Sequence, residues 1–296
     1  MCQPRTDLAL EATELWRERA GDPGDAPGVV TREYQREHYP VTVVEVTSPE
    51  GEQAVNKPMG TYITLELDGL LERQPDAFPR AARALAAELA PMLQLADRAP
   101  VLVVGLGNRA ITPDAVGPKT ADHTMVTRHL VEREPQHFGM FRPVAVLAAG
   151  VLGTTGVESG ELVHAVVERI RPACVIAVDA LAARSVRRLC RTIQIASSGI
   201  TPGSGVGNAR KTLNQESLGV PVVALGVPTV VDAATLAADL AGDHLPKGAL
   251  DGAPSLIVTP KDIDTHVSDV AKVIGYGINL AVQEGLTIED VEMFLS

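Results

Sequence analysis

The segment Val101-Leu-Val-Val-Gly-Leu-Gly-Asn108 is a short apolar run that ends in glycine and asparagine, and Asp114 follows it closely. A second run, Cys174-Val-Ile-Ala-Val178, is followed at once by Asp179. Buried strands of a parallel sheet have this composition, and the binding crevice of an open α/β sheet lies at the carboxyl ends of its strands. The sequence therefore predicts that Asp114 and Asp179 each lie just past a central strand and face each other across one cleft, as a general acid/base pair.

The chain from residue 101 onward alternates between apolar strand patterns, loops and helical patterns. The predicted strands are 101–104, 144–147, 175–178, 192–195 and 222–225. This alternation predicts an α/β fold, a three-layer α/β/α sandwich. Amphipathic spacing over residues 156–171 predicts a covering helix. Thr259, Pro260 and Asp262 predict the start of the last long helix, with Thr259 as its N-cap.

The first 98 residues have a different pattern, which predicts an added N-terminal region. Helical spacing covers residues 8–19 and 78–95, and two alternating segments at 41–46 and 62–67 predict a half-exposed antiparallel β-hairpin. We expect this portion, 1–98, and the α/β portion, 99–296, to form one domain.

Composition excludes several classes of protein. The chain has 296 residues, of which 45% are hydrophobic and only 3% aromatic, so its core must consist mainly of Val, Leu, Ile and Ala. The formal net charge of −11 argues against stable nucleic-acid binding, which needs clustered Lys and Arg. No run approaches the ~18 apolar residues of a membrane span. The odd cysteine count (three), without metal-ligand spacing, is typical of the reducing cytoplasm.

The glycine turn after the first strand allows two interpretations. Gly105-Leu-Gly107-Asn108 fits a relaxed dinucleotide fingerprint, which requires a helix to open at once. Pro113 and Pro118 interrupt that helix, and the acidic residue expected ~20 positions later is missing. We therefore favour a sharp turn over the cleft, in which Gly107 and Asn108 are candidate substrate-binding or oxyanion-binding residues.

A second glycine loop provides further candidates. Gly203, Ser204 and Gly205 lie in Thr201-Pro-Gly-Ser-Gly-Val-Gly-Asn208 and are candidate donors of backbone N–H groups to an oxyanion, although the same pattern is typical of a plain flexible turn. Glu158 fits a capping box with Thr155 better than it fits a catalytic role.

The histidines provide only a weak candidate. His129, in Val126-Thr-Arg-His-Leu130, is the best placed of the seven, but a lone helical histidine is more often structural, and no HExxH pattern is present. We therefore predict neither a metal nor another cofactor.

Several of these segments together resemble the germination proteases of spore-forming Firmicutes, which degrade small acid-soluble spore proteins. The matching stretches are Arg5-Thr-Asp-Leu-Ala9, Gly105-Leu-Gly-Asn108, Thr112-Pro-Asp-Ala115, Val126-Thr-Arg-His-Leu130, Asp179-Ala-Leu-Ala-Ala-Arg-Ser185, Pro202-Gly-Ser-Gly-Val-Gly-Asn208, Gly226-Val-Pro-Thr-Val-Val-Asp232 and Val258-Thr-Pro-Lys261.

The resemblance implies an endopeptidase with a fold like that of hydrogenase-maturation proteases. It also implies homotetramers, action in the spore core, and cleavage after Glu before an apolar residue. The two aspartates considered catalytic in the family match Asp114 and Asp179. Arg184, within a matching stretch, is a further site candidate.

Two departures from the family pattern concern control and surface shape. Only Met1–Pro4 precede Arg5-Thr-Asp, where family precursors usually carry a longer pro-segment, and the stretch between Asp232 and Val258 is shorter than in many relatives. We therefore expect either a chain made nearly in its mature form or a protease held inactive by acidity and dehydration.

The favoured mechanism is that of a two-aspartate peptidase. Two carboxylates ~4 Å apart repel by ~4 kcal/mol at an effective dielectric constant near 20, or roughly three pK units, so one of them keeps a proton. The ionised partner takes a proton from the attacking water, and the protonated one polarises the scissile carbonyl. Proximity to a helix N-terminus favours Asp114 as the ionised base.

Two alternatives stay open at this point. One is a metal-dependent protease of the hydrogenase-maturation type, with both aspartates and His129 as ligands. The other is a non-enzymatic ligand-binding regulator that uses the Gly105–Gly107 turn. The effect of a chelator on cleavage of a peptide containing Glu-Ile-Ala separates the three hypotheses.

Overall fold

The computed structural model describes residues 5–204, 207, 210–242 and 256–296. Its centre is one mixed sheet in the order β1-β2-β3-β7-β8-β6-β4-β5, with β9 paired to the end of β8. The strands are β1 (Val29–Arg36), β2 (Tyr39–Val46), β3 (Gly60–Glu66), β4 (Val101–Leu106), β5 (Val144–Gly150), β6 (Cys174–Ala183), β7 (Thr192–Ala196), β8 (Val222–Asp232) and β9 (Ile257–Val258).

Helices cover both faces of this sheet. They are α1 (Ala9–Ala20), α2 (Pro49–Val55), α3 (Asp68–Leu71), α4 (Ala77–Leu93), α5 (Val116–Asp122), α6 (Arg128–Arg133), α7 (Pro135–Phe138), α8 (Leu152–Thr155), α9 (Ser159–Ile170), α10 (Gln215–Leu218), α11 (Ala233–Ala241), α12 (Ile263–Val282) and α13 (Ile288–Leu295). In the part of the chain that the structure describes, no helix has the length and apolar character needed to cross a bilayer.

Alternating strand residues divide the core into two layers. Val101, Val103 and Ile176 belong to the cluster beneath α4, α5 and α12, whereas Leu102 and Val104 belong to the cluster beneath α9. Strand residues point to opposite faces in turn, so each central strand is buried on both sides. The α/β/α sandwich predicted from the sequence is confirmed.

The central strands β4, β5, β6 and β8 run parallel, so their carboxyl ends lie at one edge of the sheet. Helix α5 returns from that edge and packs closely on β4. A Cβ atom at Gly105 would lie 2.3 Å from the Gly117 carbonyl oxygen, so this contact requires glycine. It fixes the turn between β4 and α5, which carries Asp114.

The N-terminal strands extend the same sheet. The predicted hairpin strands pair antiparallel as β2 and β3, and β3 joins the sheet through β7. The expected half-exposure is wrong: Val43 packs toward α4 and Val44 toward α1, and both are buried. Strand β1 was not predicted, because it is a mostly exposed edge strand with a polar sequence.

Two predicted helix starts are also wrong. Helix α9 begins at Ser159, and Glu158 occupies its N-cap position without a side-chain cap, while the Thr155 hydroxyl accepts a hydrogen bond from the Val157 N–H. Helix α12 begins at Ile263, and the Thr259 hydroxyl donates to the Thr229 carbonyl oxygen at 2.9 Å. In both places the threonine hydroxyl that the sequence pattern assigned to a helix cap makes a turn or tertiary hydrogen bond instead.

Candidate active site

Asp179 lies within β6, not past its end. Strand β6 pairs with β4 only as far as Val178, opposite Gly105, but continues along β8 to Ala183. Asp179 therefore stands where β6 passes the end of its shorter neighbour, at the carboxyl edge of β4. Its side chain is 5% exposed, and one carboxyl oxygen accepts the Ala180 N–H at 2.9 Å. The predicted position at a strand end is wrong because β8 prolongs the pairing.

Asp114 lies at the end of a 3-10 turn, Thr112–Asp114, between β4 and α5, so it does not cap a helix. Its carboxylate accepts the Asn108 N–H at 2.8 Å. That N–H is therefore committed to Asp114 and is not directed at a substrate oxygen. Gly107 has φ +105°, and a Cβ atom there would lie 2.1 Å from the Asp114 carbonyl oxygen, so glycine is required for the turn.

Both aspartates line one cavity of about 270 Å³. Its apolar wall consists of Leu106, Ile111, Pro113, Leu181, Val230 and Ile257. Gly107, Gly203 and Ser204 also line it, whereas Gly205 lies outside the described residues. The arrangement encloses two carboxyl groups in a largely apolar cleft that is open at its rim, as Ile111 and Ile257 are more than half exposed.

The surroundings give the two carboxyl groups different affinities for protons. Burial, followed by the negative charge of Asp114, raises the pKa of Asp179 to about 8. Burial also raises the pKa of Asp114, but the Asn108 N–H opposes that rise. Both carboxyl groups therefore hold a proton more readily than a free aspartate does, and the fully buried Asp179 has the stronger tendency to remain protonated.

Asp7 is a third carboxylate at this cleft, and sequence reasoning assigned it no role. Its carboxylate accepts the Ser204 hydroxyl at 2.8 Å and the Ala182 N–H at 2.9 Å, and its own N–H donates to the Ala182 carbonyl oxygen at 2.9 Å. The N-terminal segment is thereby held beside β6. The sequence signal for Asp7 was its position in Arg5-Thr-Asp-Leu-Ala9, one of the stretches that resemble the germination proteases.

Arg210 also lines the cleft and was missed. Its guanidinium contacts the Glu158 carboxylate at 3.2 Å, and the Arg210 backbone N–H donates to the Pro202 carbonyl oxygen at 3.0 Å. Glu158 does not itself line the cavity. The matching stretch Pro202-Gly-Ser-Gly-Val-Gly-Asn208 stops just short of Arg210, so only its proximity to that loop pointed to it.

His129 and Arg184 lie away from the cleft. His129 is exposed on α6, and Arg184 is bound to Glu18 at 2.9 Å and Asp239 at 3.0 Å in a separate charged cluster. Neither lines the cavity that holds the aspartates. Within the described ranges, no group of three or more His, Cys, Asp and Glu side chains could hold a metal ion. Among the described residues, His129, the imidazole named for the metal alternative, is thus not placed beside the two aspartates.

Comparison with known proteins identifies the family. The family model described as germination protease matches residues 9–247 of this chain. The chain belongs to the germination protease family. Members of this family are peptidases, so the chain is a hydrolase of peptide bonds. The germination protease of Caldanaerobacter subterraneus subsp. tengcongensis is 44% identical, and the match covers 98% of each chain.

Other members of the germination protease family match over nearly the whole chain. That of Clostridium tetani is 42% identical over 99% of each chain, and that of Priestia megaterium is 35% identical over 97% of this chain and 95% of its own. A [NiFe] hydrogenase maturation protease, HycI from Thermococcus kodakarensis, is 18% identical, with a TM-score of 0.37, over 64% of this chain and 98% of its own.

A second cavity of about 1000 Å³ adjoins the aspartate cleft in this germination protease family member. The two share Asp7, Leu181, Thr201 and Ser204 as walls. Arg5, Arg19 and Lys57 line the larger cavity. The Lys57 ammonium donates to the Thr6 carbonyl oxygen at 3.1 Å, and burial lowers its pKa. A cavity with cationic walls therefore lies next to the pair of aspartates.

Proposed function

We propose that this chain is an aspartic-type endopeptidase that begins the degradation of small acid-soluble spore proteins during germination. The observation that supports it best is the joint position of Asp114 and Asp179 in one cleft, where burial raises the pKa of both carboxyl groups and raises that of Asp179 to about 8. An acid and a base side by side are what hydrolysis by activated water requires.

In the proposed mechanism, the Asp114 carboxylate takes a proton from water while the water oxygen attacks the scissile carbonyl carbon. The Asp179 carboxylic acid donates a hydrogen bond to the carbonyl oxygen and stabilises the charge that develops there. The tetrahedral intermediate then collapses, the C–N bond breaks, and the amine leaves with a proton from the pair. The pair is back in its one-proton form after the products leave.

The walls around the pair support the proposed preference for cleavage after Glu and before an apolar residue. The cavity lined by Arg5, Arg19 and Lys57 presents cations to an acidic side chain of the substrate. In the aspartate cleft itself, the exposed side chains of Ile111 and Ile257 present an apolar surface. A substrate strand that crosses the aspartates would place one residue of each type in these two environments.

We further propose that residues 1–296 form a single peptidase domain: the portions 1–98 and 99–296 act together, because β3 and β7 pair across that boundary. We also propose a homotetramer in the spore core, which native mass spectrometry tests directly.

Zymogen control is proposed to act through acidity, because protonation of Asp114 removes the base. Activity that appears on a shift from about pH 5 to about pH 7.5, with no loss of mass, is the expected result.

The test of the function is cleavage of a peptide that contains Glu-Ile-Ala, with and without EDTA. We expect cleavage after Glu that EDTA does not change. Inhibition by EDTA that added metal reverses would favour the metal-dependent alternative, and absence of cleavage with stabilisation by a nucleotide would favour the ligand-binding alternative.

A further inference from the structure

The charged groups of the aspartate cleft are unbalanced. Among the described residues that line it, three carry carboxyl groups, Asp7, Asp114 and Asp179, and one carries a positive charge, Arg210. The other described residues that line it are uncharged. Arg210 is therefore the group that opposes the accumulation of negative charge around the pair.

The Arg210 side chain is held in place from outside the cleft. Its guanidinium contacts Glu158 at 3.2 Å, and the two side chains are 24% and 34% exposed. The Arg210 backbone N–H also donates a hydrogen bond to the Pro202 carbonyl oxygen at 3.0 Å. Glu158 immediately precedes α9, which is packed on the sheet through β4 and β5. The ion pair thus ties the guanidinium to a fixed helix start.

The position of Arg210 has an electrostatic consequence for both aspartates. Burial raises the pKa of Asp114 and of Asp179, and the positive charge of Arg210 acts against that rise in both groups. The negative charge of Asp7 acts in the opposite direction on Asp179. A pair without Arg210 would therefore retain its protons to higher pH, and a second proton on Asp114 would remove the base.

We propose that Arg210 is a positioning residue for the proteolytic reaction: its ion pair with Glu158 holds the guanidinium at the cleft, where its positive charge opposes the negative charge of the Asp114 and Asp179 carboxyl groups. The inference rests on the proposed two-aspartate function. It also gives Glu158 a role, as the residue that orients Arg210 rather than one that touches the reacting atoms.

The test is the dependence of kcat/KM on pH, from about pH 5 to about pH 10, for Arg210→Gln and Arg210→Lys. We expect Arg210→Gln to move both limbs of the profile upward by about half a pH unit or more, because one positive charge near both carboxyl groups is lost. Arg210→Lys should retain most of the wild-type profile. Arg32→Gln removes the same charge from the exposed strand β1 and should leave the profile unchanged.

Glu158→Gln separates positioning from a simple charge effect. Loss of a negative charge alone would shift both limbs of the kcat/KM profile to lower pH, whereas release of the Arg210 side chain would shift them to higher pH. We expect an upward shift smaller than that of Arg210→Gln, and no further rise in the double variant. A downward shift or none in Glu158→Gln would overturn the role of Glu158, and an unmoved profile in Arg210→Gln would overturn that of Arg210.

A second measurement does not depend on turnover. NMR titration of 13C-labelled aspartate carboxyl groups, assigned with Asp114→Asn and Asp179→Asn, should show both cleft carboxyl groups titrating at higher pH in Arg210→Gln than in the wild type. If the wild type fails to cleave, or Asp114→Asn cleaves normally, the proposed function fails. If only the titration shifts are absent, this inference alone fails. A variant that does not fold leaves Arg210→Lys and Glu158→Gln to decide.

Discussion

The two aspartates of the cleft differ in what supports them. Asp179 lies in the middle of β6, which pairs with β8 both before and after this residue, whereas Asp114 ends a single 3-10 turn. The carboxylate of Asp114 is hydrogen-bonded by one backbone N–H, and that of Asp179 by another. The proposed acid, Asp179, is thus fixed by the sheet, and the proposed base, Asp114, by the turn over Gly107.

Removal of either carboxyl group should abolish turnover without unfolding the chain. We expect Asp114→Asn and Asp179→Asn each to lower kcat/KM by several orders of magnitude, and the double variant to be little worse, because the pair acts as a unit. The measurement is steady-state cleavage of the Glu-Ile-Ala peptide, with circular dichroism as the control for folding. Near wild-type turnover in either folded variant would remove the pair from the mechanism.

Asp179 should make the protein less stable as pH rises. Its pKa is raised to about 8 in the folded state from 3.8, so the folded state binds more protons than the unfolded state between these values, and stability falls as pH rises through that range. Asp179→Asn removes this dependence. We expect it to be more stable than the wild type at pH 8, by on the order of a few kcal/mol, but not below about pH 4.

Thermal melts of the two proteins across that pH range provide the check. Asp68→Asn, at an exposed ion pair with Arg191, is the matched control and should melt like the wild type throughout. Equal melting temperatures of Asp179→Asn and the wild type at pH 8 would mean that the Asp179 carboxyl group is not held protonated in the folded state.

The same residues show what sequence could predict. The apolar runs before Asp114 and Asp179 identified the strands and the shared edge, since burial on both faces leaves a continuous apolar pattern. The position of Asp179 within β6 could not be predicted, because it depends on how far β8 extends. Arg210 and Asp7 are held at the cleft by hydrogen bonds to Glu158 and Ala182. These partners are 52 and 175 residues away in the chain, so no local sequence pattern reveals the contacts.

At the scale of elements, the turn between β4 and α5 depends on glycine. Gly107 has φ +105°, and any Cβ atom would overlap the Asp114 carbonyl oxygen. We expect Gly107→Ala to destabilise the fold by roughly 2–4 kcal/mol and to displace Asp114, so that activity is lost as well. Gly153→Ala, in α8, is the control, since nothing lies within 4 Å of its Cβ position.

Denaturant unfolding and peptide cleavage of these two variants test the interpretation of the turn. A Gly107→Ala protein with wild-type stability would show that the turn relaxes easily. Gly153→Ala should behave like the wild type in both measurements.

A side-chain hydrogen bond joins Ser204 to the N-terminal segment. The Ser204 hydroxyl donates to Asp7 at 2.8 Å, so Ser204→Ala leaves an exposed acceptor that water can satisfy. We expect a loss of kcat/KM of less than about tenfold, in line with one neutral donor of ~1 kcal/mol. A loss as large as that of Asp114→Asn would mean that the hydroxyl itself takes part in the chemistry.

At the scale of the whole molecule, the negative net charge of the protein opposes binding to DNA. With a net charge of −11, the protein should not bind duplex DNA, whereas its proposed substrates would be sequestered by it. We expect added duplex to slow digestion of the spore proteins at low salt but not cleavage of the short peptide. Salt-dependent binding of the enzyme to labelled duplex in an anisotropy titration would contradict this reading of the surface.

The pairing of β3 with β7 sets the order in which the chain can fold. Leu65 is opposite Ile193, so the N-terminal strands cannot take their place in the sheet until most of the chain has been synthesised. Until then, the edge of β3 that pairs with β7 has no partner and is open to association with other chains. Because such distant contacts slow folding, refolding from denaturant should be slow and its yield should fall with protein concentration. During much of its synthesis, a nascent chain of this protein thus exposes the unpaired edge of β3.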